Sequence, residues 1–403
     1  MNYKIVKYSE IGKIRSGKRL PKGYTVSEKI SDNKYIRVRD INSGSIDSSI
    51  VQYITDEAAE KLERYKVKTK DVIISVVGTV GAIAQIDESL NGAYLTENCD
   101  NLQVDESLCL KDYLKYYLLS EDGSKEIITN TVGSTQPKLP IYGIENFNIK
   151  LPSIDNQKRI VNLLNSIDKK IKLNNEINNN LYEMLKSIYR KLYLNNSSYN
   201  NWKSMTLDDV TSKFATGLNP RKNFVLGQGN NYYVTIKNMP NNQVVLDGKC
   251  DRIDDKALVK INKRSDLKVG DLLFSGIGTI GRTYLIKNKP TNWNISESVF
   301  TIRPNNKISS EFLYLLLLDS DMQNYAVSKA SGSVQKGIRM ADLKLYKLNV
   351  PEKEWMEAFT NTVRPLIDKI YLNYEMNDKL CKLRDTLLPK LMNGEIDLDN
   401  IEI

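Results

Sequence analysis

The chain reads Asp71-Val72-Ile73-Ile74-Ser75-Val76-Val77-Gly78-Thr79-Val80-Gly81, and at an offset of 200 it reads Asp271-Leu272-Leu273-Phe274-Ser275-Gly276-Ile277-Gly278-Thr279-Ile280-Gly281. An acid, an apolar run, a serine and a Gly-Thr-x-Gly turn recur in one order. A short β-branched run closed by glycines predicts a strand leaving through a tight turn. Other segments keep the spacing. Gly133-Ser134-Thr135-Gln136 returns as Gly332-Ser333-Val334-Gln335, and Leu151-Pro152 as Val350-Pro351. Tyr35-Ile36-Arg37-Val38-Arg39-Asp40-Ile41 returns more loosely as Tyr233-Val234-Thr235-Ile236-Lys237-Asn238-Met239. A period this long does not suit a solenoid and predicts a duplicated domain.

Each copy has two parts. The first is mixed. Tyr35–Val38, Val72–Val77, Tyr232–Ile236 and Leu272–Phe274 read as strands, and Leu110–Leu119 and Phe312–Leu318 as short helices. The second is a long helical pattern entered just after Pro152 or Pro351. One ends near Tyr193, before the polar stretch Asn195-Asn196-Ser197-Ser198, and the other at Asn393-Gly394, a good helix stop. The predicted class is α+β: two repeated α/β domains separated by two long helices that form an antiparallel coiled coil. The boundaries are 1–153 for the first domain, 154–194 for the first helix, 195–351 for the second domain, and 352–403 for the second helix and tail.

A heptad register supports the pairing. Ile160, Leu164, Ile167, Ile171, Asn174, Asn178, Leu181, Leu185, Ile188 and Leu192 follow a 4,3 spacing. Phe359, Val363, Leu366, Ile370, Asn373, Asn377, Leu380, Arg384, Leu387 and Leu391 repeat it 199 residues later. In an antiparallel pair the asparagines Asn174 and Asn178 would meet Asn377 and Asn373 in one polar layer, which fixes register at some cost in stability. Pro365 is expected to kink or delay the second helix. A helix over 155–193 would be roughly 58 Å long at ~1.5 Å per residue, a shape that suits a ruler better than a catalytic cleft.

Composition narrows the chemistry. The 403 residues are 41% hydrophobic and 27% charged, ordinary for a globular protein. Histidine is absent, which removes the commonest general base, imidazole metal ligands and any Ser-His-Asp triad. Cys99, Cys109, Cys250 and Cys381 show no CxxC spacing and fit a reducing cytoplasm. Neither a signal peptide nor a membrane span is expected. No P-loop, no GxGxxG and no adenine-presenting [DNS]-P-P-[YF] motif occurs, so neither a catalytic residue nor a metal site is predicted. The net charge is +9, and residues 1–39 alone carry 11 basic against 3 acidic side chains.

Basic faces suit a polyanion. Small polar residues beside glutamine and cations suit base edges and phosphates: Ser134, Thr135, Gln136 and Lys138 in one copy, Ser333, Gln335, Lys336 and Arg339 in the other. Ser75, Thr79, Ser275 and Thr279 lie on glycine turns where backbone can approach a ligand. Arg37 and Arg39 alternate along one predicted strand face, as do Thr235 and Lys237, and Arg282 follows the second glycine turn. Tight strand exits, solvated loops and exposed sheet faces account for the same residues without DNA. A coiled-coil adaptor with incidental basic domains, or an enzyme of unconventional chemistry, also stays open at this point.

The chain resembles the specificity subunits of type I restriction-modification enzymes. The residues that carry the likeness are Leu151-Pro152-Ser153-Ile154-Asp155-Asn156-Gln157-Lys158-Arg159-Ile160-Val161, Ile167-Asp168-Lys169-Lys170-Ile171 and Arg384-Asp385-Thr386-Leu387-Leu388-Pro389-Lys390-Leu391-Met392-Asn393-Gly394-Glu395-Ile396. Asn156 stands where the family usually has glutamate, and Glu352-Lys353-Glu354-Trp355 lacks a counterpart of Gln157. The resemblance implies two target-recognition domains, each reading one half of an asymmetric bipartite site on double-stranded DNA. It implies helices that set the gap and dock two modification (methyltransferase) subunits. It also implies restriction/translocase subunits in the same complex, with S-adenosylmethionine, ATP and Mg on the partners and none bound by this chain.

The register and the implied gap together make a prediction. Seven residues inserted into each helix, N-terminal to the asparagine layer in one and C-terminal in the other, preserve the seam and lengthen it by roughly 10 Å. At ~3.4 Å per base pair the gap widens by about three pairs. The added twist of roughly 100° lowers affinity, and each half-site sequence stays the same. Methylation mapping of the assembled variant checks this; an unchanged gap in an active complex would show that the helices are not the spacer.

Overall fold

Val72–Ser75 forms a strand buried along its whole length, and so does Leu272–Ser275. Successive strand side chains point to opposite faces, so each run feeds two different cores. Val72 and Ile74 pack with Leu102, Tyr113, Leu114 and Tyr117, whereas Ile73 packs with Ile36, Ala84, Leu95 and Cys99. Leu272 and Phe274 pack with Ile302, Phe312 and Leu313, whereas Leu273 packs with Val234, Trp293 and Ile295. Burial on both faces is why these runs are continuously apolar rather than alternating.

In the computed structural model, which describes residues 3–42, 44–48, 50–332 and 335–396, the chain divides into two compact units. One is Met1–Leu173 with Met376–Ile403; the other is Asn174–Glu375. Both repeat one topology. In the first, Val72–Ser75 lies between Ile83–Gln85 and Cys99–Val104, with Gly12–Ser16 on the far side, all antiparallel. In the second, Leu272–Ser275 lies between Thr283–Leu285 and Val299–Pro304, with Thr211–Thr216 beyond. A three-stranded sheet follows in each. Lys34–Ile36 runs parallel to Tyr94–Leu95 and antiparallel to Gln52–Tyr53; Asn231–Val234 runs parallel to Trp293–Ile295 and antiparallel to Asp251–Ile253. The strand entering each unit pairs with the strand that precedes the long helix: Lys4–Lys7 with Asn148–Leu151, and Lys203–Thr206 with Lys347–Val350.

The long helices span Ile154–Tyr189 and Lys353–Met392. In the first unit Ile160, Val161 and Leu164 share a core with Leu388, Leu391 and Met392. In the second, Leu185 and Tyr189 share one with Met356, Phe359, Val363 and Ile367. Within both units the beginning of one helix lies against the end of the other, so the pairing is antiparallel. Asn373 Nδ2 donates to Asn178 Oδ1 at 2.7 Å, and Asn178 Nδ2 donates to the Ile370 carbonyl at 3.3 Å. Asn174 is buried in the same unit, and Asn377, which belongs to the first unit, is half-buried. Arg384, a charge in an apolar repeat, ion-pairs with Asp168 at 3.1 Å. Asp168 also accepts the Tyr116 hydroxyl at 2.7 Å and lies 3.7 Å from Lys115. The acid therefore binds the short helix Lys111–Leu119 to both long helices.

Two details of the helices differ from the sequence reading. The first helix stops at Tyr189 and continues as a π-helical turn over Arg190–Leu194. The wider turn rotates the following side chains, so Leu192 leaves the seam and is exposed while Tyr193 is buried. The second helix runs unbroken through Pro365, which does not delay it. Its ring removes one donor, and the Val363 and Ile367 flanks remain fully buried. At the far end Gly394 adopts φ +71° and the Tyr3 hydroxyl donates to the Leu391 carbonyl at 2.8 Å, which closes the helix.

Gln157 explains one motif. Fully buried, it accepts the Leu110 N–H at 2.9 Å and donates to the Leu108 and Pro152 carbonyls at 3.0 and 3.1 Å. It thus ties down the backbone on either side of Cys109, up to Leu110, the residue that precedes the helix Lys111–Leu119. In the second copy Met356 takes the place of Gln157 and Ser309 that of Leu110. Ser309 caps its own helix by accepting the Phe312 N–H at 3.1 Å, so the start of that helix is held by a different bond. Gln157→Leu should therefore destabilise the first unit by about 1–3 kcal/mol, the cost of buried polar groups left unpaired, whereas Met356→Leu should be nearly neutral. Denaturant unfolding of the two variants measures the difference.

Candidate nucleic-acid interface

The glycine turns are built around a buried hydroxyl. Ser275 Oγ donates to the Thr279 carbonyl at 2.6 Å and accepts the Arg282 N–H at 2.8 Å. Ser75 makes the same pair of bonds, to the Thr79 carbonyl and from the Ala82 N–H. Gly78 and Gly81 sit at φ +84° and +83°, Gly278 and Gly281 at +81° and +97°, a region that favours glycine. Packing adds a second demand: a Cβ on Gly81 would lie 2.6 Å from Ile127, and one on Gly281 would lie 1.8 Å from Gln323.

The Gly-Ser-x-Gln segments are brought against these turns. Val132 and Lys138 exchange backbone hydrogen bonds at 2.8 and 2.9 Å, and the Leu139 N–H donates to the Val76 carbonyl at 2.9 Å. Thr79, Ser134, Thr135, Gln136 and Lys138 are all exposed on this cluster. In the second unit Ser331 and Gly337 exchange the equivalent bonds at 2.9 Å, and the Gly278 N–H donates to the Lys336 carbonyl at 2.8 Å. Thr279, Gln335 and Lys336 are exposed there. The turn around Lys237 joins them, because both Ile236 and the Gln335 amide crowd the Cβ position of Gly278.

Several predicted contacts are placed differently. Arg37 and Arg39 do not share a strand face, since the strand ends at Ile36 and Val38–Asp40 is a 3-10 turn. Arg37 is turned inward. Its guanidinium binds Asp40 at 3.0 and 3.2 Å, the Ile50 carbonyl at 3.1 Å and the Gln52 amide oxygen. Arg39 is the exposed cation of that turn. Thr235 and Lys237 follow the same correction: the strand ends at Val234, Thr235 opens a 3-10 turn, and Lys237 is exposed on it. Ser75 and Ser275 are fully buried and hold the turns, so they offer no atom to a ligand. Arg282 is half-buried and donates to the Ile236 carbonyl at 2.7 Å, bracing one loop on another. Arg339 is exposed and paired with Asp342 at 2.8 Å. Ser333 lies outside the described residues.

Beneath the first cluster lies a buried carboxyl, Asp100, pushed above the ordinary carboxylate range by burial and drawn back by Ser16 and Lys138. Its counterpart is Phe300, whose ring fills the space above Gly276 where the first copy has Val76. The two platforms therefore differ chemically under one backbone.

A family model described as the type I restriction modification DNA specificity domain matches residues 1–183 and again residues 199–380. The chain belongs to this family. The HindI specificity subunit of Haemophilus influenzae is 21% identical over 92% of this chain and 97% of its own length. The EcoBI specificity subunit of Escherichia coli is 25% identical over 31% of this chain and 26% of its own. In fold, the chain is similar to the crystal structure of a type I restriction-modification S subunit from M. genitalium, with a TM-score of 0.56, 15% identity, and 97% and 96% of the two chains covered. The two matches to the specificity domain coincide with the two copies of the repeat.

Sequence reading missed a second duplicated set that shapes the specificity domains. A Cβ on Gly17 would lie 2.0 Å from the Thr96 carbonyl oxygen, and one on Gly217 would lie 1.6 Å from that of Ile295. The Tyr35 hydroxyl donates to the Lys18 carbonyl at 2.9 Å and the Tyr233 hydroxyl to that of Leu218 at 2.7 Å. Glu97 pairs with Arg19 at 3.1 Å, while Glu297 accepts from Tyr233 and Asn219 at 2.9 and 2.8 Å. The signal was present: Thr96-Glu97-Asn98 and Ser296-Glu297-Ser298 stand at the same offset of 200.

The placements separate two kinds of variant. Gln136→Ala or Gln335→Ala should shift base preference or weaken binding by about 1–3 kcal/mol with unchanged melting. Ser75→Ala or Ser275→Ala should lower the melting temperature instead. Binding titrations against single-base site variants, beside thermal unfolding, distinguish the outcomes.

Proposed function

We propose that this chain is the sequence-specific DNA-recognition subunit of a type I restriction-modification complex and carries no catalytic step itself. Each unit reads one half of a bipartite, asymmetric site in double-stranded DNA. The long helices set the gap between the halves and dock two modification subunits, which hold S-adenosylmethionine and methylate adenine. Restriction/translocase subunits that use ATP and Mg join the same assembly. Such an assembly works in the cytoplasm, and among the described residues no helix is long and apolar enough to cross a membrane.

One observation supports this reading above the others. In each unit the hairpin is held against the glycine turn, and in the second the turn that carries Lys237 joins them, yet the side chains exposed by the two copies do not match. Arg39 stands opposite Lys237 in the alignment of the copies, Pro137 opposite Lys336, and Lys138 opposite Gly337. A retained backbone with altered tips is what two readers of different sequences require, because base edges are distinguished by a few side chains. An adaptor would have no need to keep the loops together while varying them.

Exchanging residues 197–349 for a second copy of the first domain should convert the asymmetric target to an inverted repeat. Base-resolution methylation mapping of the assembled complex reads the result. Retention of the original asymmetric target by an active complex would overturn the assignment of one unit to each half-site.

A further inference from the structure

The second unit carries a basic surface that the loop cluster does not account for. The helix Asp255–Ser265 buries Ala257, Ile261 and Ser265 and turns Lys256, Lys260, Lys263 and Arg264 outward. Residues i, i+4 and i+7 share a face, so Lys256, Lys260 and Lys263 form one row. Against this helix packs the segment after Gly217, through Leu218, Phe224 and Leu226. Lys260 Nζ donates to the Asn223 carbonyl at 3.1 Å, which brings the exposed Arg221 and Lys222 to the same surface. Among the described residues no ion pair engages these six cations, and the helix's own Asp255 is held by Asn231 at 2.8 Å.

The first unit has the same scaffold with the opposite charge. Its helix Asp56–Leu62 packs on Leu20, Tyr24 and Val26, as the other packs on Leu218, Phe224 and Leu226. That helix exposes Asp56, Glu57 and Glu60 with one Lys61. The basic loop before it, with Lys18, Arg19 and Lys22, is thereby offset by carboxylates, whereas in the second unit loop and helix reinforce each other.

The basic surface is continuous with the loop cluster. Gly217 lies against the Ile295 carbonyl, and the Ser296 N–H donates to the Val234 carbonyl at 2.8 Å, immediately before the turn that carries Lys237. The loop leading to Lys222 and the base-facing loops leave the sheets at the same end.

We propose that the helix Asp255–Ser265 and the turn Pro220–Lys222 form a phosphate-tracking surface for duplex DNA beyond the half-site read by the second unit, and that the first unit has none. This rests on the DNA-recognition reading and adds a division of labour: both units specify bases, and the second supplies most of the salt-dependent, sequence-independent affinity. Each phosphate neutralised contributes about 0.9 to the slope of log affinity against log salt.

The test uses the full chain assembled with its modification partners and a duplex carrying the mapped site, titrated between about 50 and 200 mM salt. A variant with Lys222→Gln, Lys256→Gln and Lys263→Gln should lose about 2–3 from that slope. Specific and random duplexes should weaken by the same factor, with an unchanged methylation target and unchanged melting. An unaltered slope in the variant overturns this proposal and leaves base recognition standing. An unaltered slope with loss of a partner subunit also overturns it, because the surface would then dock protein. Salt-insensitive or absent DNA binding by the unmodified complex would instead overturn the recognition reading itself.

Discussion

Each unit depends on four residues that have no free face. Val72–Ser75 and Leu272–Ser275 send side chains into both the helix-side core and the loop-side core, and each buried aliphatic or aromatic side chain on them is worth about 2 kcal/mol. The strand then ends in a serine whose hydroxyl both donates and accepts inside the following turn. The position of the exposed loops is thus set by the packing of a strand several residues away.

The architecture was legible because it was written twice and in the strongest periodic signals available. Apolar runs bounded by glycine gave the central strands to within a residue or two, and the heptad gave the helix pairing, including the bond between Asn178 and Asn373. Turn chemistry near the loops was less legible. Arg37 and Arg39 alternate as a strand would, but the Asp40 carboxylate accepts the Arg37 N–H at 2.9 Å and curls the chain into a 3-10 turn; Asn238 does the same for Thr235 at 3.0 Å. The side chain three residues on overrides the alternation. The glycine turns place Ser75 and Arg282 where a ligand could approach, and only the tertiary bonds reveal that both are spent on backbone. Pro365 does not delay the helix, because the packing of its neighbours outweighs one missing helical bond.

Divergence between the copies is compensated locally. Gln157 and Leu110 in one copy become Met356 and Ser309 in the other, so that a buried glutamine holds the backbone before one helix and a serine caps the other. Val76 over Asp100 becomes Gly276 over Phe300, trading a small hydrophobe and an acid for a cavity filled by a ring. In both exchanges a polar buried group of the first copy is replaced by an apolar one in the second. Such pairs show that the duplicated scaffold is maintained by contacts within each unit, and they leave the outward-facing positions outside the exchange.

The hairpin of each unit is joined to its glycine turn through main-chain atoms: the Leu139 N–H to the Val76 carbonyl, and the Gly278 N–H to the Lys336 carbonyl. Main-chain bonds are indifferent to the identity of the residues that make them. Side chains at the hairpin tips can therefore drift without loss of foldedness, and most single changes there are free of the usual penalty for altering a protein. A lineage built on this join can explore many tip combinations as neutral variants, and any one of them that meets a new sequence is already folded.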